Sequence, residues 1–397
     1  MKNNKIGLSI IVLAIYCMAL GSCKQAGNHS NTTANSSDES CYLAFSQRLA
    51  QSIQDRDPDF FNAHFDFEAL VNEIVTRVEA PTDYKEGFKS GIQHSLNVGN
   101  EIVGSLGFEG SYHFLRLKDV NNQPTALCRL TTPEGINYHE IQLGTRGDSC
   151  YIKDFYIYRG GLDFSATLKR LYFSSLADIV NDSISFDQTS PFDRAFIEHL
   201  SDIDQIAALT EQEDYKAALQ IADKLPDILR TDKMILVMRT NIAHQVSKDA
   251  FEFTLSDFKD HYPSDPVIEF LALDLAFAEA KPDLILQRID ELDAKLQGDP
   301  YLNVLRAGVY EAQKETDKAE NLYRKTMIAE PDNQEVPFML CLFLIKHQKY
   351  EETIALFGDI YDKFDYNPAD FLSQSENADF WQSTAYKAWA EKHPLAK

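Results

Sequence analysis

"PYLNVLRAGVYEAQKETDKAENLYRKTMIAEPDN", residues 300–333, decides how the second half of this chain folds. Its landmarks recur. Asp265-Pro266 returns as Asp299-Pro300, 34 residues on, and Asn333-Gln334 stands one further period along. Pro263 and Pro331 lie two periods apart, and Ala319 has the same phase as Ala217 three periods back. Tyr310 maps onto Leu344, and Tyr323 onto Phe357. A fixed period of this length marks a stacked array, in which one helix-turn-helix unit cannot bury its apolar face alone.

The unit resembles the tetratricopeptide repeat. Ala307, Tyr310, Ala319, Tyr323 and Pro331 stand where that family prefers a small residue, an aromatic, Ala, an aromatic and Pro. Arg306 and Thr326 depart from it, where Leu and Ala are usual. "DYKAALQIADKL" (214–225) and "KYEETIALFGDI" (349–360) read as second helices of further units, giving about five across 197–366. The segment with Phe380, Trp381, Tyr386 and Trp389 is expected to cap the stack. The resemblance implies that first helices line a concave face. By phase this face includes Phe270, Phe277, Tyr301, Val304, Glu311, Phe338 and Leu342, the candidate partner-binding residues. Residues 197–397 carry a net charge of about −17. Such a surface favours a basic protein or peptide partner; an acidic surface that merely solubilises is the alternative.

Upstream the pattern differs. From Cys41 to about Glu79 apolar residues recur at helical spacing: Leu43, Leu49 and Ile53, then, after Asp57-Pro58, Phe67, Leu70, Val71, Ile74 and Val75. A further helix is expected over Tyr84–Val103. Beyond Gly104, "YHFLRLKDVNNQPTALCRLTT", "INYHEIQLG" and "SCYIKDFYIYRGG" read as four strands of an antiparallel meander, turning at "VNNQP" and "TRGD". Gly160-Gly161 is expected to end it, with Asp163 or Ser165 capping the next helix.

Helices followed by a curled antiparallel sheet make an α+β layer pair. With the ending "KDFYIYRGGLDFSATLKRLY", this order resembles the nuclear transport factor-like, or cystatin-like, cone fold over about residues 41–180. That superfamily includes enzymes with a His/Asp pair in the cone and many binding modules without chemistry. The resemblance makes His113, Tyr138, His139, Asp154 and Tyr156 the candidate cone-pocket residues. A His–Asp pair would need both side chains inside, within hydrogen-bond reach. The sequence leaves the strand phase of His113 and His139 open.

The N-terminus supplies an address. Lys2 and Lys5 precede an apolar run over Ile6–Leu20, short of the roughly 20 residues a membrane span needs. Leu20-Gly21-Ser22-Cys23 resembles the bacterial lipobox. The resemblance implies cleavage before Cys23, lipidation of that residue and attachment to a bilayer. Lys24, rather than Asp, favours the outer membrane. Residues 1–22 are thus expected to be a signal peptide and 23–40 a polar tether. An α+β domain should follow over 41–185, and an all-α superhelical repeat domain with a capping helix over 190–397.

The net charge of −23 argues against nucleic acid as a partner. No CxxC, HExxH, GxSxG or phosphate-cradling glycine loop occurs, so no metal, cofactor or catalytic residue is expected. Cys41, Cys128 and Cys150 read either as buried thiols or as containing one disulfide. The function expected is a non-catalytic binding or scaffold lipoprotein acting through its repeats. The alternative is small-ligand binding or acid–base chemistry in the N-terminal domain.

Overall fold

The computed structural model describes residues 22–23, 36–76, 80–107, 110–132, 135–176, 190–364 and 377–393. Residues 1–21 of the expected leader and most of the expected tether, Lys24 included, lie outside the described residues. Two compact units are present, Met1–Ala272 and Leu273–Lys397.

In the first unit the backbone of Ser22–Cys23 (β1) pairs in parallel with Gly161–Leu162. Helix Ser36–Gln54 (α1) begins inside the stretch expected to be tether. Its buried side is Phe45, Leu49, Ala50 and Ile53, while Leu43, expected on that side, is 42% exposed. Helices Asp59–His64 (α2) and Phe67–Thr76 (α3) follow, the latter burying Leu70, Val71, Ile74 and Val75 as its spacing predicts. The expected long helix is two helices, Thr82–Ser95 (α4) and Val98–Leu106 (α5). Leu96 and Asn97 between them are extended, and this re-aims Val98 and Ile102 into the core.

The four-strand meander is present: Ser111–Val120 (β2), Gln123–Thr132 (β3), Gly135–Arg146 (β4) and Ser149–Ile157 (β5). Asn121 and Asn122 both take positive φ, 55° and 62°, at the β2–β3 turn. Asn tolerates that region, and such turns match the twist of the strands they join. The meander does not end at Gly160-Gly161. Gly161–Asp163 (β6) adds a strand antiparallel to β5, between it and β1, giving the order β1-β6-β5-β4-β3-β2. Helix Phe164–Leu176 (α6) follows; the Ser165 N–H donates to Asp154 Oδ1, while Asp163 Oδ1 accepts from Gln142 Nε2.

Helices α1 to α6 contribute the apolar side chains that pack on one sheet face. That core continues without a break through Phe196, Ile206 and Leu229 to Ile242. The helices Pro191–Glu198 (α7), Leu200–Glu211 (α8), Tyr215–Ala222 (α9) and Asp227–Arg230 (α10) therefore share one core with the sheet. The expected division near residue 185–190 is not a division of the core, because sheet and early repeats bury their apolar faces on each other.

The repeat is plain in the helix starts. First helices are α8, Lys233–Val246 (α11), Val267–Ala278 (α13), Leu302–Ala312 (α15) and Glu335–Lys346 (α17). Second helices are α9, Lys248–His261 (α12), Pro282–Leu296 (α14), Thr316–Ala329 (α16) and Tyr350–Phe364 (α18). Five helical hairpins thus recur among the described residues. The boundary between the two compact units falls inside α13.

The recurring Asp-Pro has a bonding reason. Asp232, Asp265, Asp299 and Asn333 each accept, through Oδ1, the backbone N–H two residues on, opening a first helix. Ala280, Lys314 and Gln348, one period apart, take left-handed φ of 49°, 64° and 59° where each hairpin turns. The family departures are satisfied locally. Arg306 pairs with Asp290 and Asp293, and the buried Thr326 hydroxyl donates to the Leu322 and Pro300 carbonyls. The phase equivalent of Ala319 is the buried Ala218 rather than Ala217, because α9 and α16 start 101 residues apart. Helices Ala378–Gln382 (α19) and Thr384–Ala390 (α20) cap the stack, with Phe380 and Trp389 against Phe357 at 5.7 and 5.3 Å.

Cys41 on α1 and Cys150 on β5 are joined by a disulfide, while Cys128 and Cys341 are buried free thiols. A chain starting at Lys24, exported through an oxidising compartment and denatured without reductant, is expected to show two alkylatable thiols by mass spectrometry. Four alkylated thiols would refute the pairing.

Candidate functional site

Strand alternation and register sort the sheet's side chains into two faces. His139 stands opposite Cys128 and Ile157, and Ile141 opposite Phe155, on the face covered by α1–α6. Tyr138 stands opposite Arg129, Glu140 opposite Tyr156, and Gln142 opposite Asp154, on the other face. His113, paired with Arg129 in register, joins that second face. The five residues expected in one pocket are therefore divided: His139 on one side, and His113, Tyr138, Asp154 and Tyr156 on the other. A His139–Asp154 acid–base pair is not formed, since the sheet lies between them.

The second face is covered within the same unit by the loop between α12 and α13 and by the start of α13. Phe270 packs on Tyr138 and Tyr158, with ring centroids 5.8 and 6.3 Å away. Phe270 is thus occupied by the sheet and is not available to a partner. Beside it Lys233, fully buried, pairs with Asp265, and the Tyr156 hydroxyl donates to Asp265 Oδ1 at 3.1 Å. A cleft of about 610 Å³ opens here, lined by Gln123, Glu140, Gln142, Asp154, Asp163 and Asp265 among others. Many of these groups are committed to the fold. Asp154 accepts from the Phe155 and Ser165 N–H groups, Gln142 donates to Asp163, and Glu140 holds Lys118 and the Tyr158 hydroxyl.

The first face encloses a smaller cavity of about 360 Å³ between α5 and the sheet. Its wall is largely apolar: Val98, Ile102, Leu130, Ile136, Phe155 and Ile157. Glu101, Gly104 and Ser105 are exposed lining residues, with Arg159 half-buried, and they mark the mouth. His139, 4% exposed, is the one ionisable side chain in the buried part of the lining.

His139 belongs to a buried polar chain. The Tyr112 hydroxyl lies 3.1 Å from His139 Nδ1 and is hydrogen-bonded to the Cys128 thiol as well. Burial pushes the His139 pKa down to about 4 and the Cys128 thiol up to about 12, and raises Tyr112 well above its ordinary value. All three are neutral near pH 7. Sequence reasoning finds His139 but misses Tyr112 and Cys128. Cross-strand register alone brings these two onto the face of His139, through Tyr112 opposite Leu130 and Cys128 opposite His139.

The candidate partner-binding residues also divide. Tyr301 and Val304 are buried, and the Tyr301 hydroxyl donates to Glu335. Glu311 holds Lys346 at 2.5 Å, and Phe338 is half-buried. Phe277 and Leu342 are 43% and 40% exposed. Among the described residues no group of His, Cys, Asp and Glu could hold a metal ion, and no helix is long and apolar enough to cross a membrane.

No family model matches this sequence, and no curated protein matches it. Among solved structures, the crystal structure of yeast Tom70 is similar over 97% of this chain and 72% of that chain, at 16% identity and a TM-score of 0.39. That likeness is too loose to add to the repeat geometry described above.

Proposed function

We propose that this chain is a lipid-anchored, non-catalytic binding protein of the bacterial outer membrane whose helical repeats engage a protein or peptide. The observation that carries the reading is an unburied column on the first helices of the second unit. Asp274, Gly308 and Leu342, one period apart, are all exposed. Phe277 lies one turn from Asp274 on the same helix face and is exposed too. Large apolar side chains left in water beside acidic ones suit an anchor residue flanked by basic groups on a partner segment. The net charge of −23 favours the same partner chemistry. The separation of His139 from Asp154 supports the non-catalytic reading.

Two tests follow. Cross-linking in whole cells, followed by capture of the full chain, is expected to yield partners that the Phe277→Asp/Leu342→Asp variant loses while it stays folded. An unchanged partner set would refute the assignment to this column. Fatty-acid labelling is expected in the wild type and absent in Cys23→Ser; equal labelling would remove the anchor.

A second reading, small-ligand binding in a cone-like N-terminal domain, is favoured by the cavity above His139.

A further inference from the structure

We infer that the cavity between α5 and the sheet binds a small apolar molecule through one acceptor oxygen, a ketone or aldehyde carbonyl, held by the Nε2–H of His139. The inference stands on the small-ligand reading and is independent of the repeats and of the lipid anchor.

Three observations carry it. First, the space is real and mainly apolar, about 360 Å³ walled by Val98, Ile102, Leu130, Ile136, Phe155 and Ile157, which suits a compact hydrocarbon body. Secondly, His139 is 4% exposed and lines that space, yet among the described residues its only hydrogen bond is through Nδ1 to Tyr112. A polar ring in the wall of a mainly apolar cavity is best matched by a ligand atom that bonds to it. Thirdly, the Cys128–Tyr112–His139 chain decides which nitrogen bears the proton. Tyr112 has one hydroxyl proton to give. An imidazole nitrogen is a good acceptor, whereas a thiol sulfur is a weak one and its S–H a weak donor. The chain therefore runs from Cys128 S–H to Tyr112 oxygen, and from Tyr112 O–H to His139 Nδ1. The proton of the neutral ring is left on Nε2, as a donor toward the cavity.

The ligand chemistry follows from this. The ring stays neutral, so it offers a hydrogen bond and not a charge, and a carboxylate seated against it would lose its water shell with no counter-charge from the ring. A neutral carbonyl oxygen accepts from Nε2–H at no such cost. Phe155, whose ring lies 6.0 Å from that of His139, and Ile157 meet the apolar remainder. The half-buried Arg159 and exposed Glu101 leave the mouth polar, so the ligand enters from water.

Nitrogen-15 spectroscopy of the full chain tests the tautomer directly. The expected spectrum has a protonated Nε2 and a bare Nδ1 for His139, a pattern lost in Tyr112→Phe. Acetophenone and its hydrocarbon shape-mimic α-methylstyrene serve as probes. Acetophenone is expected to shift the His139 Nε2 resonance and to bind roughly threefold to tenfold more tightly than the hydrocarbon, the range of one net hydrogen bond. His139→Phe should erase that preference. A ring protonated on Nδ1, equal binding of the two probes, or no binding of either at millimolar concentration would each overturn the inference.

Discussion

Asp265→Asn is expected to destabilise the first unit by about 3–5 kcal/mol, the range for leaving one member of a buried ion pair without its counter-charge. Lys233 is fully buried, and its ammonium meets Asp265 Oδ2 and, at 3.1 Å, the Tyr156 hydroxyl. The asparagine separates charge from geometry. It keeps an oxygen for the Val267 N–H, which Asp265 Oδ1 accepts at 3.0 Å, so the start of α13 retains its turn. Only the negative charge is lost, and Lys233 must then stay in the interior uncompensated. Urea denaturation monitored by Tyr and Trp fluorescence gives the change. The double variant Lys233→Met/Asp265→Asn is expected to recover most of the loss, because no buried charge remains and Met approximates the lysine stem. A single-variant cost below about 1 kcal/mol would show that the pair does not hold the loop on the sheet.

Acid is expected to weaken the protein through His139. Its pKa is about 4 when folded against 6.5 for the free side chain. Between those values the unfolded chain binds a proton that the folded chain refuses, so stability rises with pH across this window. The contribution is fully present above pH 6.5 and falls as pH drops toward 4, by about 3 kcal/mol in all. Other groups titrate over the same range, so the slope is compared with that of His139→Phe, which cannot charge. Denaturant midpoints at pH 7.5 and 4.5 are expected to fall further for the wild type than for the variant. Equal falls would mean that His139 is protonated in the folded state without penalty.

The two predictions concern opposite faces of one sheet, and neither site was fully visible in the sequence. Asp265 stands out in the sequence as a repeat landmark, but its neighbours Lys233 and Tyr156 lie 32 and 109 residues away in the chain. His139 is a pocket candidate from the sequence, but alternation leaves open which face is which. Phe270 had the right phase for a concave surface, and the sheet took it. Residues with purely local reasons are legible in the sequence. The Asn121-Asn122 turn, the buried stripe of α3 and the aromatic cap at Phe380 and Trp389 follow from chain neighbours or from the repeat itself.

By itself the sequence determined the charge, which is a sum over residues, and the period of the helical hairpins and the four-strand meander, which are written in spacings of 34, 3.6 and 2 residues along one chain. Tertiary structure alone decided the Cys41–Cys150 pairing, the division of His139 from Asp154, the burial of Phe270 and the single core shared by sheet and early repeats. Those depend on which distant surfaces meet, and a periodic pattern states only that an apolar face must be covered, never by what.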